Sequence, residues 1–245
     1  MPELERVAEG VWLLRGGRPR VMNVYLIADD GGVTLFDAGV RGMDGAIRRA
    51  AAPLGGLERV VLGHAHVDHR GAAPKLDAPV LCHPAERADA EGDAGRRYFD
   101  YSKLPLPARV YMPAMISVWD GGPVRVSGTV EEGDEVAGFR VLHVPGHSPG
   151  MIVLWRESDR LLLSSDCFYT LNPLTGHKSR PQLPRAAFNQ DTEQAARALI
   201  KIAELDPAAA WPGHADPLVG DVAETLKRVA ESTIHAKPVP RGIRR

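Results

Sequence analysis

The chain has 245 residues, is 44% hydrophobic and 25% charged, and carries a formal net charge of −1. These values are ordinary for a globular protein, and they exclude collagen-like, disordered and general polyanion-binding chains. Two cysteines, Cys82 and Cys167, form no CxxC pair and no disulfide framework, so both are expected as buried free thiols in a reducing cytoplasm. No apolar run reaches membrane-spanning length, and the first residues lack the basic and apolar regions of a secretory signal. Neither a membrane nor a nucleic-acid partner is expected.

Val11 to Leu14 reads as a strand, and Val21 to Ala28 as another. Asp29-Asp30-Gly31-Gly32 is a hairpin-type turn into Val33 to Phe36. That strand ends in Asp37-Ala38-Gly39, where Asp37 is either an acid orienting a metal ligand or a plain turn residue. Met43 to Ala52 has helical spacing, with Met43, Ile47, Ala50 and Ala51 on one face and Pro53 beyond. Arg59 to Gly63 is a buried strand running into His64-Ala65-His66-Val67-Asp68-His69. A short helix beginning at Gly71 and a strand at Val80 to Cys82 follow. Strands alternating with helices indicate an α/β layer protein.

Residues 92–123 break the pattern with several prolines, five aromatic residues and an irregular reading. Such a stretch forms a lid or pocket wall, a dimer contact or a packing arm. Strand signals resume at 124–126, 135–136 and 139–144. Pro145 to Gly150 is a tight loop holding His147, and 151–155 pairs with 161–165, which ends at Asp166. Residues 170–185 read as irregular. Asp191 with Gln194 resembles a capping box for a helix through Ala203. A strand at 208–211 ends in Pro212-Gly213-His214, and a last amphipathic helix carries Val222, Leu226, Val229 and Ala230. Residues 237–245 lack a core pattern and are expected to be a mobile tail.

Four metal-capable side chains lie within the six residues 64–69. In an extended segment His64 and His66 point the same way, and the chain must curl to turn Asp68 and His69 inward. Two pairs a few ångströms apart suit two metals better than one. His147, Asp166 and His214 each stand at a strand-terminal turn, and strand ends of a layered α/β protein can converge on one edge. The seven candidate ligands are five His and two Asp, a nitrogen and oxygen set that suits Zn²⁺, Mn²⁺ or Fe²⁺.

The order HxHxDH, PGH, strand-terminal Asp and late GH resembles the metallo-β-lactamase superfamily over nearly the whole chain. The resemblance implies a four-layer αββα sandwich, one domain over 1–236 with 92–123 as an insertion. It implies His64, His66 and His147 on a first metal ion, Asp68, His69 and His214 on a second, and Asp166 bridging them. Asp166 stands where the β-lactamases of the superfamily usually carry Cys or Ser, which points to the glyoxalase II-like and acyl-homoserine-lactonase-like branches. The stretch after His214 is short for the helical domain of glyoxalase II. Asp166-Cys167-Phe168-Tyr169 looks like the matching lactonase segment, which implies that Tyr169 touches the substrate carbonyl; the other reading is a packed ring. The usual Gly-Gly after HxHxDH is altered, in Arg70-Gly71-Ala72.

Two metals sharing a water generate hydroxide near neutral pH. The expected activity is therefore attack of a metal-bridging hydroxide on an ester, lactone or thioester of a small molecule. Asp68 serves as ligand or as proton shuttle. A mononuclear iron persulfide-dioxygenase-like enzyme and a phosphodiesterase are the alternatives, and a homodimer is a further expectation. His143 reads as a core or supporting His, and His83, His177 and His235 as surface residues. Lys178, Arg180 and Arg185 either read an anionic substrate group or are solvated. Cys167 should face away from Asp166.

Overall fold

The computed structural model describes residues 4–17 and 21–234. The expectations for His235 and for the tail lie outside them. Strands β1 (Leu4–Ala8), β2 (Val11–Gly16), β3 (Met22–Asp29) and β4 (Gly32–Phe36) form an antiparallel meander. Helix α1 (Asp44–Ala51) then crosses to β5 (Leu57–Val61), which adds parallel to β4. The short helix α2 (Val67–Arg70) leads to β6 (Val80–Cys82) and α3 (Arg87–Ala90). Helix α4 (Leu106–Trp119) precedes β7 (Gly128–Thr129), the last strand of this seven-stranded sheet.

The second sheet has six strands in the order β15-β14-β11-β10-β9-β8. They are β8 (Glu135–Val136), β9 (Phe139–His143), β10 (Ile152–Arg156), β11 (Leu161–Ser165), β14 (Ala209–Pro212) and β15 (Leu218–Val219). Between β11 and β14 lie the hairpin β12 (Tyr169–Leu171) and β13 (Lys178–Gln182), then α5 (Thr192–Ala203); α6 (Val222–Ile234) closes the described chain.

Alternation in the central strands explains the layering. In β3, Val24 and Leu26 join the core under α1, while Tyr25 and Ile27 join the core between the sheets. In β10, Ile152 and Leu154 face the first sheet, and Val153 and Trp155 pack toward α5 and α6. Period-two side chains that are apolar on both faces require cover on both faces. The result is the αββα sandwich, with helices outside and two sheets packed face to face.

The chain between 92 and 123 is more regular than its prolines imply. α4 runs for 14 residues, with Pro107 in its first turn, where no ladder donor is lost, and Pro113 inside. Residues 178–182 likewise form a strand within a stretch read as irregular, while 124–126 is a coil that buries Val124 and Val126 rather than a strand. Asp191 caps α5 as expected, its carboxylate accepting from Gln194 N at 2.9 Å. The inner side of α4 packs Ala108, Met112 and Ile116 against Val67, Leu104 and Phe188. Its outer side leaves Leu106 and Val110 at 74% and 77% exposure. No helix among the described residues is long and apolar enough to cross a membrane.

Arg70 ties the end of α2 to α3 and to the chain beyond it. Its side chain is fully buried and donates to the carbonyls of Asp89 (2.7 Å), Ala90 (2.6 Å) and Gly92 (3.1 Å), with Asp120 Oδ1 at 3.3 Å. Arg70→Met would fill the space but remove all four of these hydrogen bonds. We expect a loss of about 3 kcal/mol in urea-unfolding free energy, the usual scale for breaking a buried ionic network from one side.

Candidate metal centre

Strand direction brings the candidate ligands together. β9 and β11 are both antiparallel to β10, and β14 is parallel to β11, so all three end at the same edge of the second sheet. His147, Asp166 and His214 stand just past those ends. The end of β5 in the first sheet faces them with His64 and His66, and α2 supplies the curl that turns Asp68 and His69 inward. His66 heads that turn, its carbonyl accepting from His69 N and Arg70 N at 3.0 Å each.

All seven sequence-predicted ligands meet there. The potential donor atoms of His64, His66 and His147 lie within 4.8 Å of one another, as do those of Asp68, His69 and His214, and those of His64, His69 and Asp166. Asp166 reaches both halves: its Oδ2 is 3.6 Å from His147 Nε2, and its Oδ1 is 3.3 Å from His214 Nε2 and 3.2 Å from His69 Nε2. The Nε2 atoms of His64, His66, His69 and His147 and Oδ1 of Asp166 are buried without an aligned hydrogen-bond partner. Buried polar atoms are normally satisfied, so five converging unsatisfied ones fit a cation-binding centre.

Three imidazoles are held by their outer nitrogen. His69 Nδ1 lies 2.8 Å from Asp37 Oδ2, His147 Nδ1 2.8 Å from Asn189 Oδ1, and His64 Nδ1 3.2 Å from Ser165 Oγ. Asp37 and Asn189 Oδ1 are acceptors here, so they select the Nδ1–H tautomer and aim an Nε2 lone pair inward. Asp37 holds φ at +60°, and its carboxylate also accepts from Gly63 N at 2.7 Å and Ser165 Oγ at 2.8 Å. Of the two readings of Asp37, the orienting one describes the geometry.

Burial, reinforced by neighbouring imidazoles, holds His64 and His66 well below their usual pKa. Burial acts the same way on His69 and His214, but Asp166 outweighs it: His69 is raised, with help from Asp37, and His214 rises to about 9 with help from Asp68. Burial alone would raise Asp68, but the His214 hydrogen bond and His69 bring it down to about 2. The centre thus has a neutral imidazole half and a carboxylate-rich half.

Two other features escape sequence reasoning. Glu86, fully buried in a turn after β6, accepts from Ala65 N at 2.8 Å and Gly150 N at 2.7 Å. One carboxylate therefore links the HxH loop to the PGH loop; its only sequence signal is an acid four residues past a short strand. Asn23 and Tyr25 of β3 secure the loop of His214, bonding Pro212 O at 2.9 and 2.6 Å. Gly213 in that loop is obligatory by contact, because a Cβ there would come within 2.5 Å of Asp166 Oδ1 and His69 Cε1.

Tyr169 lines the cavity; its ring packs 5.2 Å from His214, and its hydroxyl donates to Asp166 Oδ2 at 2.8 Å. His143 stacks on His83 outside the centre, bonding Pro149 O at 3.0 Å. Lys178, Arg180 and Arg185 do not line the cavity above the donors. Cys82 and Cys167 are buried free thiols, and burial pushes Cys82 up to about 12.

That cavity, about 230 Å³, has His66, Asp68, His147, Asp166 and His214 at its floor and α4 with residues 171–176 as walls. Within residues 92–123, Phe99 and α4 therefore form part of the cavity wall.

Residues 17–214 match the family model described as the metallo-beta-lactamase superfamily, and the chain belongs to that superfamily. Among its relatives is the Bacillus subtilis protein named "Probable metallo-hydrolase YflN", 28% identical over 239 residues, covering 86% of this chain and 89% of that one. The Gallus gallus protein named "Acyl-coenzyme A thioesterase MBLAC2" is 31% identical over 172 residues, covering 65% of this chain and 57% of that protein. The crystal structure of TTHA1623 in a di-iron-bound form superposes with a TM-score of 0.61 at 27% identity, covering 89% of this chain and 97% of that one.

Removing the outer partners should loosen the centre without deleting a donor. We expect Asp37→Ala to weaken metal affinity about 10- to 100-fold, measured by chelator competition. Glu86→Leu would strand two backbone N–H groups, and we expect a loss of about 2–4 kcal/mol in unfolding free energy.

Proposed function

We propose that this metal-dependent hydrolase uses two divalent ions to cleave an ester, lactone or thioester of a small molecule. The observation that carries the reading is the convergence of four unsatisfied imidazole nitrogens and a shared carboxylate, with His66, His147 and Asp166 open to one cavity. His64, His66 and His147 would hold one ion, Asp68, His69 and His214 the other, and Asp166 both. All the donors are nitrogen or oxygen, which suits Zn²⁺ and also Mn²⁺ or Fe²⁺. Such a pair of ions, when bound, lowers the pKa of water and polarises a carbonyl.

The chain's own residues supply the rest. Asp37, Ser165 and Asn189 keep the imidazoles aimed, so little reorganisation accompanies the reaction. Asp68 faces the cavity and is placed to carry a proton toward the leaving group. The Tyr169 hydroxyl, which bonds Asp166 Oδ2 at 2.8 Å, would turn to donate to a substrate carbonyl. α4 and residues 171–176 exclude water above the floor. The thioesterase name of the Gallus gallus relative supports an ester-type bond. A cytoplasmic location belongs to the same proposal, supported by the two buried free thiols.

The test is metal quantitation alongside a panel of lactones, thioesters, aryl esters and phosphodiesters. We expect two ions per chain and carboxylic-ester cleavage, with His66→Ala and Asp166→Ala each losing metal and about 100-fold or more in kcat/KM. Full metal content and full esterase activity in both variants would overturn the reading. So would turnover confined to phosphodiesters, or one iron per chain with oxygen uptake on a persulfide.

A further inference from the structure

The cavity leads away from the metal centre between two apolar walls. α4 contributes Met112, Met115, Ile116 and Trp119 on one side, and the β12–β13 hairpin contributes Leu171 and Leu174 on the other. The walls are joined above, where the Tyr111 hydroxyl donates to Leu174 O at 3.0 Å. No Lys or Arg stands among the described residues that line the cavity. Its ionisable lining is the floor ligands with Tyr111 and Tyr169.

An anionic end group lying between these walls, away from the floor, would be desolvated with no cationic side chain to receive it. A hydrocarbon chain would instead exchange water for thioether, aliphatic and indole surface. We infer that the space between α4 and the β12–β13 hairpin is a binding site for an uncharged hydrocarbon chain attached beside the scissile carboxyl group. The inference rests on the hydrolase reading for the identity of the bond and on the cavity lining for the identity of the chain. Met115, half-buried on the wall, is the residue through which chain preference is set. The chain enters from the acyl or the alcohol side of the bond, and the two sides call for separate substrate series.

The experiment uses the metal-loaded full chain. One series is p-nitrophenyl esters of straight fatty acids of increasing length, and the second is alkyl acetates of increasing length. Each is matched by members ending in a carboxylate. We expect kcat/KM to rise about three- to fourfold per methylene in one of the two series until the cavity is filled. The same-length carboxylate-ended substrate should be at least about tenfold poorer. Met115→Lys should narrow or reverse that discrimination. A rate indifferent to length in both series, or a carboxylate-ended substrate cleaved as well as its neutral partner, overturns the inference.

A binding measurement separates this result from the hydrolase reading. In the metal-stripped protein, 1-decanol should shift the fluorescence of Trp119, and Trp119→Phe should abolish that shift. If decanol binds there and no carboxylic ester of any length is cleaved, the chain site stands and the reading of the reaction falls. If short esters are cleaved and decanol leaves the emission unchanged, the reaction stands and the chain site falls.

Discussion

Burying four imidazole nitrogens and a carboxylate oxygen without hydrogen-bond partners costs free energy that the surrounding structure must offset. This is the constraint on which the rest of the molecule depends. Left to relax, such groups would turn toward solvent or toward one another. Three of the imidazoles stay in place because they are gripped from behind, His69 by Asp37, His147 by Asn189 and His64 by Ser165. The cost then becomes affinity for a cation, since the lone pairs are already desolvated and aimed.

The grip extends from side chains to loops. Glu86 joins the two loops that carry His64, His66 and His147, while Asn23 and Tyr25 reach across from the first sheet to hold the loop of His214. The centre thus lies at the seam of two sheets, and the contacts across the seam are polar at this edge and apolar elsewhere. Asp37 itself sits at positive φ, which costs conformational energy and is sustained by its three hydrogen-bonding partners. The candidate site and the fold's stability thus share the same residues here.

Much of the architecture was legible in the chain. The strands around Val24 to Ile27 and Ile152 to Trp155 are apolar on both faces, which already demands layers on both sides. The seven candidate ligands were readable because metal chemistry admits few residue types and because they follow strand ends. α4 was hidden by Pro105, Pro107 and Pro113, two of which stand at or before its first turn, where a missing N–H is harmless. Glu86 and Asn189 carried no pattern, because a single polar residue becomes a partner only when a distant loop is brought to it.

The sequence by itself determined the donor set, its nitrogen and oxygen character and the alternation that makes two covered sheets. These are local properties: residue type, spacing and period are written along the chain. Only the tertiary structure decided that strand ends from both sheets meet at one edge, and that Asp166 reaches both halves of the centre. It alone placed α4 over the cavity as a wall without a cation. Those facts depend on strand direction and on contacts between residues more than a hundred positions apart, such as Asp37 with Ser165. No local pattern encodes them, because the interactions form only when the two sheets pack.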